Sequence, residues 1–562
     1  MAAGDALPHS KSPLLFTDNG VTFQWPEENE AKFPTMKEFG GNIRWREGPE
    51  EATTVGKKFV TTFLQNHGAD EIPQVEFQIT GTHPSTQVTL TISNTDFKKE
   101  VTVNNGETVS VPITEPVEML GTDTSPRSVV IEADHGVAVV SRSSKYGSSD
   151  TALLYPVESW GILYYIVTPP WGPDTEYKEF AIISNDMPTN VKMHLKGDVN
   201  FQGQDYPKGS ILRVTLEPNQ AMQIQSKDDL SGTKVEAQYP ITVLSGHTCS
   251  QKNGNCGHVY EQLLPVERWG DTYFVPGLSF QPKSDIAMVM AYQPTEVEYQ
   301  SGTEKGKKPL EEGEMVTFDV SESSPLSLRA NNNIQVHLFG TGGISEGNPL
   351  DPFLITVPDT KSYSYKAQIN GEKDIENNKG VIIIKKPGQS GITIDDKAPE
   401  GIQWRDFPGT EYSWGEFRLP SGFSFHTVKN PTMPFGLLSI GYSPNMAYGS
   451  IAPSLNENEG KFPEMKEQGG KFPWPEGNYM ACKRFRGLVI ICHPKNVNSG
   501  FHLILVRAHL AVSVSLTRFL QLSVGVTLIR AEFDLLGHLP KVRESGRSGS
   551  QFTQRKTSKY FN

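Results

Sequence analysis

The sequence predicts an all-β protein of tandem immunoglobulin-like β-sandwich units, with poorly structured segments at both ends. The first observation is alternation of apolar and polar residues, as in VTLTIS at residues 88–93, where Val88, Leu90 and Ile92 share one face of a strand. The second is the dipeptide Asn105-Gly106, which joins two alternating runs and is typical of a hairpin turn. Helical periodicity is scarce before residue 480.

The third observation is a repeat of roughly 105 residues. GKKFVTTF at 56–63, WGILYYIV at 160–167 and WGDTYFVP at 269–276 each open a unit. We align the three units on a glycine that precedes an alternating strand, at Gly106, Gly209 and Gly313. A unit of this length holds about six or seven short strands, which suits a two-sheet sandwich with its own core.

The domain bounds follow from two repeats. Apart from the sandwich repeat, ENEAKFPTMKEFGG at 28–41 recurs as ENEGKFPEMKEQGG at 457–470, so a preamble is copied behind the array. The predicted divisions are a preamble (1–51), three sandwich units (52–150, 151–262 and 263–345), a further β unit (346–452), the copied preamble as a linker (453–480) and a basic tail (481–562).

The basic tail differs in composition from the acidic body. The whole chain of 562 residues carries a net charge of −12, which argues against a nucleic-acid partner, whereas residues 481–562 are rich in lysine and arginine. We interpret this tail as read-through or misjoined sequence; the alternative is a native tail docked on the acidic body. No run of 18 apolar residues predicts a membrane span, and the first residues do not have the pattern of a signal peptide.

The string Pro-Val-Glu-x-Trp-Gly occurs twice, at 156–161 and 265–270, at the same phase of the repeat. We predict that it forms the joint between successive units, through Pro156, Trp160, Gly161, Pro265, Trp269 and Gly270. The alternative is catalysis, in which Glu158 or Glu267 acts with a second carboxyl group within about 10 Å, as in a glycan hydrolase. One active site would not require two copies, so the joint is the preferred interpretation.

A second constellation lies in SGHTCSQKNGNCGHVY at 245–260, where His247 and Cys249 mirror Cys256 and His258. Two thiols and two imidazoles are a ligand set that zinc accepts. Zinc sites usually draw ligand pairs from separate knuckles, so a disulfide between Cys249 and Cys256 is favoured, with zinc and free thiols as alternatives. No phosphate-binding loop, nucleophile elbow or HExxH motif occurs, and no cofactor is predicted.

The stretch VLSGHTCSQKNGNCGHVYEQLLPVERWGDTYFVPGL at 243–278 resembles the N-terminal domain of the IgGFc-binding protein family. GKKFVTTFLQN at 56–66 is similar to the opening of that domain, and MPFGLLSIGYSPNMAYG at 433–449 to its close. The resemblance covers about residues 52–450, and the pair Cys249 and Cys256 matches the family pattern. It implies a secreted, mucus-associated, non-enzymatic protein. It also implies IgG Fc or mucin-type glycoproteins as partners.

These expectations leave three functions in competition. The first is an Fc- or mucin-binding module, in which units at fixed spacing add weak contacts as avidity. The second is a structural extracellular spacer without a specific ligand. The third, an enzyme acting on glycans through Glu158 or Glu267, is the least favoured.

Overall fold

The computed structural model of the chain describes residues 54–455, apart from residues 69, 70, 146, 282, 346 and 421–424. Within them the chain is all-β, as predicted, and its named strands pair antiparallel. The helices in this part are short 3-10 turns at Val157–Ser159, Val266–Arg268 and Lys386–Gly391. In the described part of the chain no helix has the length and apolar character needed to cross a membrane.

The strands of the first half form two sheets. Sheet 1 contains β3 (Val55–Thr61), β4 (Gln74–Gly81), β5 (Thr86–Ile92), β6 (Lys98–Val103), β7 (Thr108–Ile113), β9 (Val129–Lys145) and β10 (Ser148–Leu154). Sheet 2 contains β8 (Asp123–Ser125), β11 (Gly161–Tyr165), β12 (Lys178–Ser184), β13 (Thr189–His194), β16 (Ile211–Leu216), β17 (Ala221–Ser226), β18 (Lys234–Ser250) and β19 (Gly257–Gln262), with a separate hairpin of β14 (Val199–Phe201) and β15 (Gln204–Tyr206).

The strands of the second half form two more sheets. Sheet 3 contains β20 (Gly270–Val275), β21 (Asp285–Ala291), β22 (Thr295–Ser301), β23 (Glu304–Leu310), β24 (Met315–Val320), β25 (Leu326–Gly340) and β28 (Phe353–Thr356), beside a hairpin of β26 (Gly343–Ser345) and β27 (Asn348–Leu350). Sheet 4 contains β30 (Asn377–Lys385), β32 (Gln403–Asp406), β33 (Tyr412–Arg418), β35 (Phe435–Ser443) and β36 (Met446–Ile451), beside a small sheet of β29 (Lys366–Asn370), β31 (Thr393–Ile394) and β34 (Phe425–Lys429).

Short strands also lie outside residues 54–455. They are β1 (Thr17–Asp18), β2 (Val21–Thr22), β37 (Gly470–Pro473), β38 (Tyr479–Phe485), β39 (Val489–Pro494), β40 (Leu505–Arg507), β41 (Arg530–Ala531) and β42 (Val542–Arg543). The predictions for the preamble, the linker and the basic tail (1–51, 453–480 and 481–562) concern segments that lie almost wholly outside the described residues.

Sheets 1, 2 and 3 share one topology, which explains the repeat in the sequence. In each, a long strand (β9, β18 or β25) pairs with the opening strand, with two inner neighbours and with the closing strand. The first half of β9 pairs with β5 and its second half with β4, so the sheet curls around its own apolar core. At the bend, Asp134, His135 and Gly136 are residues that fit poorly in a flat strand.

One part of the sequence alignment is wrong. The structural counterpart of Gly106 and Gly313 in sheet 2 is Asn219. Each of the three precedes the strand at the same place in its sheet and donates its backbone amide to the carbonyl at the end of the neighbouring strand, at Gly81, Ala291 and Asn185 respectively. Gly209 instead precedes β16, which occupies the place of β6 and β23. Asn219 has a φ of 55°, and asparagine adopts this left-handed conformation more readily than most residues, so glycine was not required.

The four sheets close on one another. The closing strands β10, β19, β28 and β36 lie next to each other in that order, and β36 returns to β10. The buried carboxylate of Asp150 on β10 accepts hydrogen bonds from the amides of Thr151 and Tyr260 at 2.8 and 3.2 Å. The amides of Leu354 and Gly449 each donate to it at 3.4 Å, so one side chain contacts closing strands of all four sheets.

The closure also joins the first sheet to the last. Arg142 of β9 lies 3.5 Å from Glu372, in the turn between β29 and β30, and both side chains are buried. Gln78 of β4 donates to the same glutamate at 2.5 Å. Strands β10, β12 and β21 are buried on both faces, one by their own core and one by a neighbouring sheet.

Candidate binding site

The two tryptophans of the repeated string lie between consecutive sheets. Trp160 packs in an apolar cluster with Val60 and Ala152 of sheet 1 and Ile183 of sheet 2, and its indole Nε1 donates to the carbonyl of Tyr155 at 3.0 Å. An indole that is buried needs such an acceptor, because an unpaired N–H costs free energy.

Trp269 repeats this arrangement one sheet further along the chain. It packs with Tyr165 of sheet 2 and with Met288 and Phe339 of sheet 3, and its Nε1 donates to Leu264 at 2.9 Å. Each tryptophan therefore occupies the geometry that a joint requires, whereas its contribution to holding the sheets together stays a prediction.

The proline and glycine of the string meet across the same boundary. A Cβ on Gly161 would overlap the ring of Pro265, and a Cβ on Gly56, its counterpart in sheet 1, would overlap Pro156. The opening strands shift register at Gly56, Gly161 and Gly270, so each contains a bulge at this contact. The string thus combines a rigid proline with a bulged glycine of the preceding unit.

The boundary between sheets 3 and 4 has similar contacts but no repeated string in the sequence. A Cβ on Gly270 would overlap the side chain of Asp359 in the same way. The backbone amide of Ser362 donates to the carbonyl of Asp359 at 3.1 Å, as the amide of Ser159 donates to the carbonyl of Pro156 at 2.8 Å. Tyr363 then takes the position of the tryptophan, buried in the core that sheets 3 and 4 share. Only the contact pattern is kept here, because the proline and tryptophan have been replaced.

The two candidate glutamates lie at two different boundaries between sheets. A Cβ on Gly161 would lie 2.9 Å from Oε2 of Glu267, and one on Gly56 would lie 3.3 Å from Oε2 of Glu158, so each glutamate lies against the bulged glycine of the preceding sheet. Burial raises the pKa of Glu267 above its ordinary value.

The disulfide joins Cys249, near the end of β18, to Cys256 before β19. Both thiols are therefore used in the disulfide, and neither is available as a metal ligand. Among residues 54–455 that the structure describes, no group of three or more His, Cys, Asp or Glu side chains is arranged to hold a metal ion. The zinc interpretation of this stretch consequently has no geometric support in the described residues.

Both histidines of the constellation are buried and serve local hydrogen bonding. The Nδ1 atom of His247 accepts the amide of Cys249 at 3.0 Å, and the Nδ1 atom of His258 lies 3.2 Å from the carbonyl oxygen of His247. Burial lowers the pKa of each imidazole to about 3. Neutral imidazoles at physiological pH fit the role of packed hydrogen-bonding groups beside the disulfide.

The disulfide-closed loop contacts the corresponding turns of two other sheets. The amide of Asn253 donates to the carbonyl of Thr341 at 3.2 Å, and the side-chain amide of Asn255 donates to Oδ1 of Asn445 at 2.6 Å. Asn445 in turn donates its amide to Pro349 at 2.9 Å. We name these three segments, residues 250–257, 341–352 and 443–446, the loop cluster.

The loop cluster presents mixed chemistry to solvent. The ammonium of Lys252 lies 4.0 Å from the ring centroid of Trp171, which holds this cation in place. Ile344 of β26 is 65% exposed, so an apolar side chain stands beside this cation on the surface. With the exposed Asn255 and Asn445, this surface offers amide groups, one oriented cation and one apolar contact, which suits a protein or glycan ligand.

The described part of the chain is an all-β body of antiparallel sheets with a disulfide-closed loop between β18 and β19. A sequence model described as IgGFc binding protein matches residues 150–441. The chain therefore belongs to the IgGFc-binding protein family. It is similar to the IgGFc-binding protein of Homo sapiens, with 36% identity over 423 residues, which is 74% of this chain and 8% of that protein.

Likeness to solved structures is slight. A calcium-stabilised adhesin with which an Antarctic bacterium reaches out and binds ice shares 11% identity over 72% of this chain and 99% of its own, with a TM-score of 0.10. A 1.5-MDa bacterial ice-binding adhesin shares 10% identity over 52% of this chain and 97% of its own, with a TM-score of 0.09. At these TM-scores neither likeness supports an argument.

Proposed function

We propose that this chain is a non-enzymatic extracellular binding module whose loop cluster binds IgG Fc or a mucin-type glycoprotein. The observation that carries the proposal is the loop cluster itself, where a disulfide and cross-sheet hydrogen bonds fix three turns before any ligand arrives. Preorganised loops lose less conformational entropy on binding than mobile ones. The relative from Homo sapiens is named for binding IgG Fc, although this chain spans only 8% of it.

The proposal includes an extracellular location, since disulfides persist in oxidising compartments. It also includes the division of the body into immunoglobulin-like units at 52–150, 151–262, 263–345 and 346–452, with the joints fixing the spacing between them. Separate joints for Glu158 and Glu267 support a structural role for these residues rather than a catalytic one.

The test is binding of the purified chain to immobilised IgG Fc and, in parallel, to purified mucin. The double substitution Lys252→Ala and Ile344→Ser should weaken binding at least tenfold, because it removes the oriented cation and the apolar contact. Ile211→Ser is the matched control, since Ile211 is 37% exposed on β16, outside the loop cluster. Absence of binding to both ligands at micromolar protein would overturn the proposal and favour the spacer.

A further inference from the structure

We propose that the outer edge of β24 is a docking site for an extended, Ser/Thr-rich segment of a partner protein, which adds to sheet 3 as an extra strand. The observation that supports this comes from sheet 2 of the same chain. In sheet 2 the equivalent edge strand, β17, is already extended by β8, a short strand from the link between β7 and β9 of sheet 1. The inference concerns sheet 3 and does not depend on the function proposed for the loop cluster.

The equivalence of β17 and β24 is set by the turns that precede them. Gln220 donates its amide to Glu217 at 3.0 Å, and Glu314 donates to Glu311 at 3.1 Å, in matching turns. The next residue in each case, Ala221 or Met315, begins the edge strand. It follows that Gln223 corresponds to Thr317, and Gln225 to Asp319.

The filled edge shows how an added strand is held. Ser125, Thr124 and Asp123 of β8 lie opposite residues 221, 222 and 223 of β17. The amide of Gln225 donates to the hydroxyl of Thr122 at 2.8 Å, and the side chain of Gln223 donates to the carbonyl of Gly121 at 2.8 Å. Covered in this way, every residue of β17 is buried.

The edge of β24 lacks this cover. It ends the strand order of sheet 3, so among the described residues no strand pairs with its outer side. Thr317 and Asp319 are exposed where Gln223 and Gln225 are buried. Strand addition to such an edge is a recurring mode of peptide recognition, in which backbone hydrogen bonds supply the affinity.

Link lengths explain why one edge is covered and the other is not. The link from β7 to β9 spans 114–128 and is long enough to supply β8, whereas the link from β17 to β18 spans only 227–233. Beside the start of β24 the structure has an open cavity of about 420 Å³, lined by Lys196, by Asp229 and Ser231 of this short link, and by residues 311–315.

The corresponding edge of sheet 1 is closed by its sequence. Pro112 of β7 stands opposite Glu76, where Asp319 of β24 stands opposite Ile286. Proline has no amide to donate, which protects an edge strand from unwanted pairing. In sheet 4 the outer side of β33 pairs with β32. In the part of the chain that the structure describes, neither a proline nor a neighbouring strand blocks the outer side of β24, so this edge differs from the corresponding edges of the other three sheets.

The internal strand also indicates the chemistry of the partner. The segment GTDTSPRS at 121–128 is rich in small, hydroxyl-bearing residues, and the hydroxyl of Thr122 accepts the backbone amide of Gln225 at the edge. The β24 edge is acidic, with Glu311, Glu314 and Asp319 exposed around it. A partner segment with a Lys or Arg next to its serines and threonines would therefore be favoured by charge complementarity.

The test is hydrogen exchange measured by mass spectrometry on the full chain, with and without a synthetic peptide copying residues 121–128. At about 1 mM peptide, a concentration suited to a single added strand, we expect exchange at residues 315–320 to slow at least threefold. Asp319→Pro should abolish this protection by removing the outward amide, and Pro112 shows that the fold accepts proline at the matching position. Asp319→Asn, which keeps the amide, should retain it.

Three results would overturn the proposal. They are no slowing at residues 315–320 in the unmodified chain, equal slowing in the proline and asparagine variants, and slowing confined to 221–226, where the peptide would have displaced β8. The circular dichroism spectrum checks that the proline variant folds. If it does not, Thr317→Pro replaces it, and the result on the unmodified chain still decides.

Discussion

Replacing Trp269 by alanine tests whether the repeated string holds neighbouring sheets together. Trp269 is 1% exposed and contacts Tyr165 and Tyr292 at ring-centroid distances of 6.0 and 5.8 Å. Truncating a buried tryptophan costs about 3–5 kcal/mol, through lost burial and the cavity left behind. The carbonyl of Leu264 also loses its donor, which adds about 1 kcal/mol.

The free energy of unfolding, measured by guanidinium titration and circular dichroism, should therefore fall by about 4–6 kcal/mol. Trp269→Phe is the control, because it keeps one aromatic ring and loses the second ring and the indole hydrogen bond, at a smaller cost of about 2–3 kcal/mol. The joint interpretation also predicts that one unfolding transition divides into two in the alanine variant, as sheets 2 and 3 lose their contact. A loss below about 1.5 kcal/mol with a single unchanged transition would refute it.

Three further predictions concern the disulfide and two buried ionisable groups. Cys249→Ser with Cys256→Ser opens a loop of seven-residue separation and should cost about 2.5 kcal/mol of unfolding free energy, with faster hydrogen exchange at 250–257; an unchanged value would show that the loop needs no covalent closure. Asp351 is buried with its carboxyl oxygens unpaired, and burial raises its pKa to about 8. The free energy of unfolding is therefore highest below about pH 4, where this carboxyl group is neutral, and falls as the pH rises to 8. The difference in the free energy of unfolding between Asp351→Asn and the unmodified chain should grow by at least about 2 kcal/mol in favour of the variant between pH 5 and pH 8. A difference that does not change with pH would contradict this. Burial lowers the pKa of His337 to about 3, so this residue alone lowers the free energy of unfolding by about 2 kcal/mol as the pH falls from 7 to 5; His337→Gln should reduce the acid loss by that amount and leave the parts due to His247 and His258.

The repeat in the sequence corresponds to sheets 1, 2 and 3, which share one topology, whereas the role of the repeated string as a joint stays a prediction. The string around Trp160 and Trp269 marks two boundaries because packing and hydrogen bonding select the same residues twice. The third boundary, at Tyr363, was missed since a different aromatic fills the same space. The alignment through Gly209 failed because Asn219 supplies the same backbone conformation with another side chain.

Closure of the four sheets could not be predicted from local patterns. It depends on contacts between residues far apart in sequence, and several of them are polar. An isolated Asp150 in a strand gives no sign that it will accept amides from three other sheets. Burial raises its pKa well above the ordinary value, although those hydrogen bonds oppose the shift. The open edge of β24 could not be predicted either. It is recognised only by comparison with sheet 2, where the structure shows β8 paired with the equivalent strand.

The most direct test of the closed arrangement is a double-mutant cycle between sheet 1 and the last part of the body, using Arg142→Met and Glu372→Gln. In the structure these buried groups lie 3.5 Å apart, so the unfolding free energies should show a coupling of about 1–3 kcal/mol. If the sheets were strung out in an open series, the two residues would never meet. A coupling within about 0.3 kcal/mol of zero would contradict the closure.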